Sequence, residues 1–190
     1  MKCKNIALSI IFLCFVCCKT IHAQTIIKNE SWKQTTLSPA EKKNLATALH
    51  FMADGIGKAG MKVFDECVAA DAKIYTGLKP QGPIEGLQEY KQTFEDFAAA
   101  WPVSEFIIDE AFATDDKVVI RFQAIAHFKN DYYGVKATNE IVNMKEVHVL
   151  TLKNGKIISS IVSGTNFPFE YIMYPVLKDA VIGNLPKHKG

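Results

Sequence analysis

A single change of period divides this chain. Up to Trp101 the apolar residues recur at three- and four-residue steps, and after Pro102 they recur at every second position. Leu45, Ala48, Leu49 and Met52 make one helical stripe, and Met61, Phe64, Cys67 and Val68 make a second. Leu87, Tyr90, Phe94, Phe97 and Trp101 make a third, which Pro102 stops. The first helix has an explicit start in Ser38-Pro39-Ala40-Glu41: a Ser N-cap, Pro at the first helical position and Glu at N3, together a capping box. The glycines at 55, 57 and 60 interrupt the first stripe.

The period-two part predicts strands at about 104–112, 117–128, 140–152 and 156–165. Asp115-Asp116, Tyr133-Gly134 and Asn154-Gly155 separate them, and Asn154-Gly155 supplies the positive φ that a type I′ hairpin needs at both central residues. A short strand at 72–76 and a Gly/Pro-rich loop at 77–86 precede the third helix. Helices first and strands afterwards imply an α+β fold, three helices packed on one face of a curved antiparallel sheet, in one domain over residues 38–190.

Residues 1–23 read as a secretory signal peptide. Lys2 and Lys4 make a basic start, residues 6–18 an apolar stretch, and Ile21-His22-Ala23 a cut site before Gln24. Ile21 is bulky where such sites prefer a small residue, so retention as an anchor stays open. Removing the leader takes Lys2, Lys4 and Lys19 and leaves 19 basic against 20 acidic residues; it also takes four of the five cysteines, leaving Cys67. A disulfide within the exported chain is thereby excluded, and Cys67 in its apolar stripe reads as a small buried hydrophobe. The near-neutral balance removes the electrostatic basis for binding nucleic acid, and 48% hydrophobic residues exclude a disordered chain. Residues 24–37 read as a mobile, irregular arm, and localisation is expected to be periplasmic or secreted.

Chemistry-bearing residues cluster on two of the strands. On 118–128, Val118, Ile120, Phe122, Ala124, Ala126 and Phe128 share one apolar face; Val119, Arg121, Gln123, Ile125 and His127 share the other. Parity alone leaves open which face looks inward. Arg121, the sole arginine, offers a planar donor head to a carboxylate or carbonyl, with Gln123 beside it; a surface ion pair is the alternative. On the next strand Glu146 and His148 lie two residues apart, hence on one side and about 6–7 Å apart along the strand, flanked by Met144 and Leu150. This spacing suits an acid/base pair. A solvated Glu and a singly bonded His is the plainer reading. There is no Gly-x-Ser-x-Gly elbow, phosphate loop, dinucleotide fingerprint or Cys-x-x-Cys after the leader.

The order of several short pieces resembles the SnoaL-like polyketide cyclases of the nuclear transport factor 2-like (cystatin-like) superfamily. The pieces are Pro83-Ile84-Glu85-Gly86-Leu87, Ala100-Trp101-Pro102, Asp116-Lys117-Val118-Val119-Ile120-Arg121 with His127 at that strand's end, Gly134-Val135-Lys136-Ala137-Thr138, and Asn154-Gly155-Lys156-Ile157-Ile158. The resemblance covers roughly residues 40–180. It implies a cone of three helices wrapped by a bent sheet around a pocket for a small hydrophobic molecule, and a homodimer. It also implies a general acid/base Asp on the last strand, a place held here by Thr165 or Asn166, neither of which titrates near neutral pH.

Proton-transfer chemistry would then fall to His148, Glu146 or His127, with Arg121, Gln123, Tyr75, Trp101, Asp109, Thr165 and Asn166 as ligand-binding candidates. A metal held by His127, His148 and Glu146 lacks a short-range ligand motif, and no metal or cofactor is expected. The apolar segment from Phe167 onward is expected to cover the cone's mouth or a twofold interface. Two functions remain in view: an exported cyclase- or isomerase-like enzyme acting on a carbonyl compound, and a non-catalytic carrier on the same fold.

Overall fold

The computed structural model describes residues 24–27, 36–79 and 81–164. The leader expected at 1–23, most of the arm and the cover expected after Phe167 fall outside these residues. Helix α1 (Pro39–His50) starts as its sequence specifies. Ser38 Oγ accepts from the Glu41 amide at 3.3 Å, and Glu41 Oε2 accepts from the Ser38 amide at 2.8 Å. The other carboxylate oxygen of Glu41 accepts from the Asp115 amide at 3.1 Å, tying the helix start to a sheet turn.

Where the glycines fall, α1 is not broken but widened into a π-helical turn, Phe51–Ile56, with the Gly57 amide donating to the Met52 carbonyl at 2.8 Å. The wider turn carries Phe51, Met52 and Ile56 inward. A side chain at Gly57 would lie 2.9 Å from the Phe106 ring, so only glycine lets this linker sit on the sheet. After a turn at 57–60, helix α2 (Met61–Cys67) runs directly into strand β2 (Val68–Tyr75), and β3 (Ile84–Glu85) and helix α3 (Leu87–Ala100) come next. Phe64, Tyr90 and Phe94 pack edge to face or tilted at 5.1–5.3 Å, joining α2 to α3. Cys67 is buried beside them, and burial pushes its thiol up.

The sheet runs through β4 (Val103–Thr114), β5 (Lys117–His127), β6 (Ile141–Lys153) and β7 (Lys156–Gly164), each antiparallel to the last. Asn154 and Gly155 turn the last hairpin with φ of 54° and 77°. The sheet is mixed rather than wholly antiparallel, since β2 pairs parallel to β7 and a first strand β1 (Gln24–Ile27) pairs parallel to β4. The expected irregular arm therefore needs correction at its start. Residues 24–27 extend the sheet because Thr25 and its neighbours meet the free edge at residues 105–108, and Thr25 Oγ1 donates to the Ala53 carbonyl. The order is β1-β4-β5-β6-β7-β2-β3, with the helices on one face.

Replacing Ser38 by Ala is expected to cost about 1 kcal/mol in denaturant melts. The Ser38 hydrogen bonds hold the Glu41 carboxyl below its ordinary value, so their support is complete above the unfolded carboxyl's range and is lost as pH falls through the folded value. The wild-type advantage over Ser38→Ala should accordingly shrink on acidification. An advantage that grows toward low pH contradicts this assignment.

Candidate functional site

Cross-strand register assigns every side chain of the sheet to one of two faces. One row runs Ile108, Phe122, Glu146, Gly164, and the next runs Ala111, Ile120, His148, Val162. These rows face the helices. Between them and α3 lies a cavity of about 320 Å³, the size of a small-molecule site. Its wall is mostly apolar, with Phe94, Phe97 and Trp101 from the helix side and Phe106, Phe122 and Met144 from the sheet. Trp101 is fully buried, stacked on Phe128 at 4.4 Å and on Phe97 at 5.1 Å.

Two titratable side chains of the sheet break this apolar wall, Glu146 and His148. His148 is 4% exposed and its Nε2 lies 3.5 Å from Glu146 Oε2. Its ring meets the Phe122 ring edge to face at 5.3 Å, and its Nδ1 is buried with no hydrogen-bond partner among the described residues. A proton on Nε2 faces the carboxylate and leaves Nδ1 as a bare acceptor. The pair is thus built into the wall, with the carboxylate partly accessible from the cavity.

Tyr90, one turn into α3, lines the same chamber. It is 5% exposed, and burial, with the nearby charge of Glu146 second, raises its phenol far above the ordinary tyrosine value. In the sequence Tyr90 belongs to an apolar stripe that does not single it out. The only signal was a hydroxyl-bearing ring among Leu87, Phe94 and Phe97. Thr93 and Lys58 also reach the lining, and the Lys58 ammonium is held by Asp54 at 2.8 Å.

The other sequence candidates do not converge here. Arg121 and Gln123 have the opposite parity to Phe122 and lie on the outer face. A register shift between Ile108 and Glu110 turns Asp109 outward too, so Arg121 pairs with both Asp109 at 3.2 Å and Glu110 at 3.4 Å. Gln123 Nε2 donates to Asp109 at 2.9 Å, and Gln123 accepts from Asn143 at 3.1 Å. This network spends the polar heads on one another.

His127 shares that outer face, its Nε2 2.8 Å from the Asn139 carbonyl oxygen, so it cannot join His148 and Glu146 around a metal. Tyr75 lies half-exposed at the end of an outer row, Phe112, Val119, Val149, Ile161, Tyr75, that crosses five strands. Among the described ligand-binding candidates Trp101 alone lines the chamber; Thr165 and Asn166 lie outside the described residues. Among the described residues no three His, Cys, Asp or Glu side chains gather as a metal site.

Three helices packed on a bent, mixed sheet around an apolar chamber make this an α+β domain of the nuclear transport factor 2-like fold. The sequence profile of the SnoaL-like polyketide cyclases matches residues 46–162, more than half of the chain, and the chain belongs to that family. Among solved structures, a protein from Jannaschia sp. CCS1 assigned as a SnoaL-like polyketide cyclase superposes with a TM-score of 0.62 at 16% identity, over 80% of this chain and 100% of that one. One from Acidithiobacillus ferrooxidans assigned as a polyketide cyclase gives 0.58 at 20% identity, over 76% and 99%. AclR of Streptomyces galilaeus, assigned as a hydroxylase, gives 0.57 at 18% identity, over 77% and 99%. At these identities the likeness is one of fold. No curated protein matches the sequence significantly.

Because Arg121 and His127 face away from the chamber, Arg121→Ala and His127→Ala are expected to leave the affinity for an apolar probe such as 1-anilinonaphthalene-8-sulfonate unchanged, while Phe122→Ala alters it. Fluorescence titration of the three variants checks this. Loss of binding in Arg121→Ala alone would show that the outer face is the binding surface.

Proposed function

We propose that this domain binds a small, mostly apolar carbonyl compound in its cone and moves a proton on it, with Glu146 as the base and His148 as its partner. The observation that carries the reading is the placement of these two side chains, 3.5 Å apart, in a chamber whose remaining wall is chiefly hydrocarbon. A carboxylate that faces the chamber can reach a C–H of a molecule held there, and geometry of this kind is the first requirement for a general base. His148, buried behind Glu146, orients the carboxylate and offers it a hydrogen-bond partner in either protonation state. The chemistry is of the lyase or isomerase kind: a C–H bond next to a carbonyl is broken and a proton is returned elsewhere.

Deuterium exchange into ketones and 1,3-dicarbonyl compounds, followed by NMR in the presence of the protein, tests this directly. Glu146→Gln is expected to slow exchange by roughly 10²-fold or more while the ligand still binds; His148→Ala should slow it less. Equal exchange rates in wild type and Glu146→Gln contradict the assignment. Binding across the panel with no exchange in any case favours the carrier reading instead.

We also propose that the domain works outside the cytoplasm, a proposal supported by the basic start and apolar stretch of residues 2–18. The protein recovered from a periplasmic or secreted fraction should begin at Gln24 by N-terminal sequencing. A chain recovered only from the cytosol with Met1 in place contradicts export.

A further inference from the structure

We infer that Tyr90 is the hydrogen-bond donor that receives the carbonyl oxygen of the bound molecule, across the chamber from Glu146, so that the substrate class is a ketone or ester presenting its α-carbon to the carboxylate and its oxygen to the phenol. The inference rests on the proton-transfer reading above and adds to it a second contact and a direction for the ligand.

Three observations support it. Tyr90 lines the cavity, yet its side chain is 5% exposed. Its hydroxyl makes no hydrogen bond among the described residues, although its ring is fixed on both flanks by Phe64 at 5.1 Å and Phe51 at 6.1 Å. A hydroxyl held by a rigid ring at a cavity wall, with no protein partner, finds its partner in what the cavity holds. Finally, Tyr90 stands on α3 while Glu146 stands on β6, so the two approach a ligand from opposite walls.

Their charges are coupled. Burial first and the Glu146 charge second hold the phenol protonated far beyond neutral pH. It therefore stays a donor at neutral pH. Thr93 is the only other neutral hydroxyl of α3 at the wall. It is the natural control.

The step balances without any further reactant. Glu146 takes the α-proton, the C–H electron pair becomes the new C=C bond, and the C=O π pair moves onto the oxygen, where the Tyr90 hydroxyl stabilises the enolate. The proton then returns from Glu146 to carbon, at the original position or at a conjugated one. No redox partner is consumed.

The test uses the whole exported chain and two near-isosteric probes, 2-acetylnaphthalene and 2-ethylnaphthalene. Tyr90→Phe keeps the ring packed on Phe51 and Phe64, so folding is expected to survive, checked by circular dichroism. Wild type should bind the ketone about tenfold more tightly than Tyr90→Phe does, since one hydrogen bond is removed, while the hydrocarbon binds both equally. The carbonyl stretch of bound ¹³C-labelled 2-acetylnaphthalene should lie at lower frequency in wild type than in Tyr90→Phe. Where the deuterium-exchange assay of the preceding section shows turnover, Tyr90→Phe should reduce it about 10²–10³-fold.

Equal ketone affinity and an unmoved carbonyl stretch in Tyr90→Phe overturn the inference. So does a result in which Thr93→Val, and not Tyr90→Phe, produces these changes. If Tyr90→Phe is silent and Glu146→Gln still abolishes exchange, the donor assignment fails and the base assignment stands. If Glu146→Gln is silent while the ketone contact is lost in Tyr90→Phe, the reverse holds.

Discussion

The register of β4 to β7 is the constraint on which everything else depends. Strands have a side-chain period of two, so one set of pairings decides together that Phe122, Met144, Glu146, His148 and Val162 face the helices and that Arg121, Gln123 and His127 face away. A slip of one residue would empty the chamber of its carboxylate and imidazole and bury the arginine network. The register is pinned at two turns. The Asn154-Gly155 turn fixes β6 against β7, and the β4–β5 turn is tied to the capped start of α1 through Glu41. The capping box of the first helix therefore serves the site as well as the helix.

The helices close the cone by aromatic contact. Phe51, Phe64, Tyr90 and Phe94 form a connected set that continues through Phe97 to Trp101, Phe128 and Tyr132. The stopping of α3 by Pro102 leaves Trp101 as its last turn, fully buried at the chamber's end. Two departures from regular geometry complete the arrangement. The π-helical turn at Phe51–Ile56 brings the linker onto Phe106. The bulge at Asp109 keeps two carboxylates beside Arg121 on the outer face.

Much of this was legible in the sequence. The Ser38 cap, the Pro102 stop, the Asn154-Gly155 turn and the period change fixed the elements to within a few residues, because each is a local matter of backbone geometry. Glu146 and His148 could be paired from their spacing alone. The inward face could not be chosen from parity, since both faces of residues 118–128 carry apolar residues and only the neighbours decide between them. Asp109 was misplaced because a bulge is invisible to a count by twos. The parallel pairings of β1 and β2 escaped notice because they join segments far apart in sequence. Tyr90 was hidden by its own stripe, where a tyrosine and a phenylalanine look alike until the hydroxyl is seen at a cavity wall.

The central proposal is that the inner face of the sheet, and not the outer one, receives the ligand. Methyl-labelled NMR measures this without any need for turnover. With 2-ethylnaphthalene added to protein labelled at Met, Ile and Val methyls, nuclear Overhauser contacts should run from the probe to Met144, Ile74 and Val162, which line the chamber. The outer-row methyls of Val119, Val149 and Ile161 should stay silent. Contacts to Val119 and Val149 with none to Met144 would contradict the account.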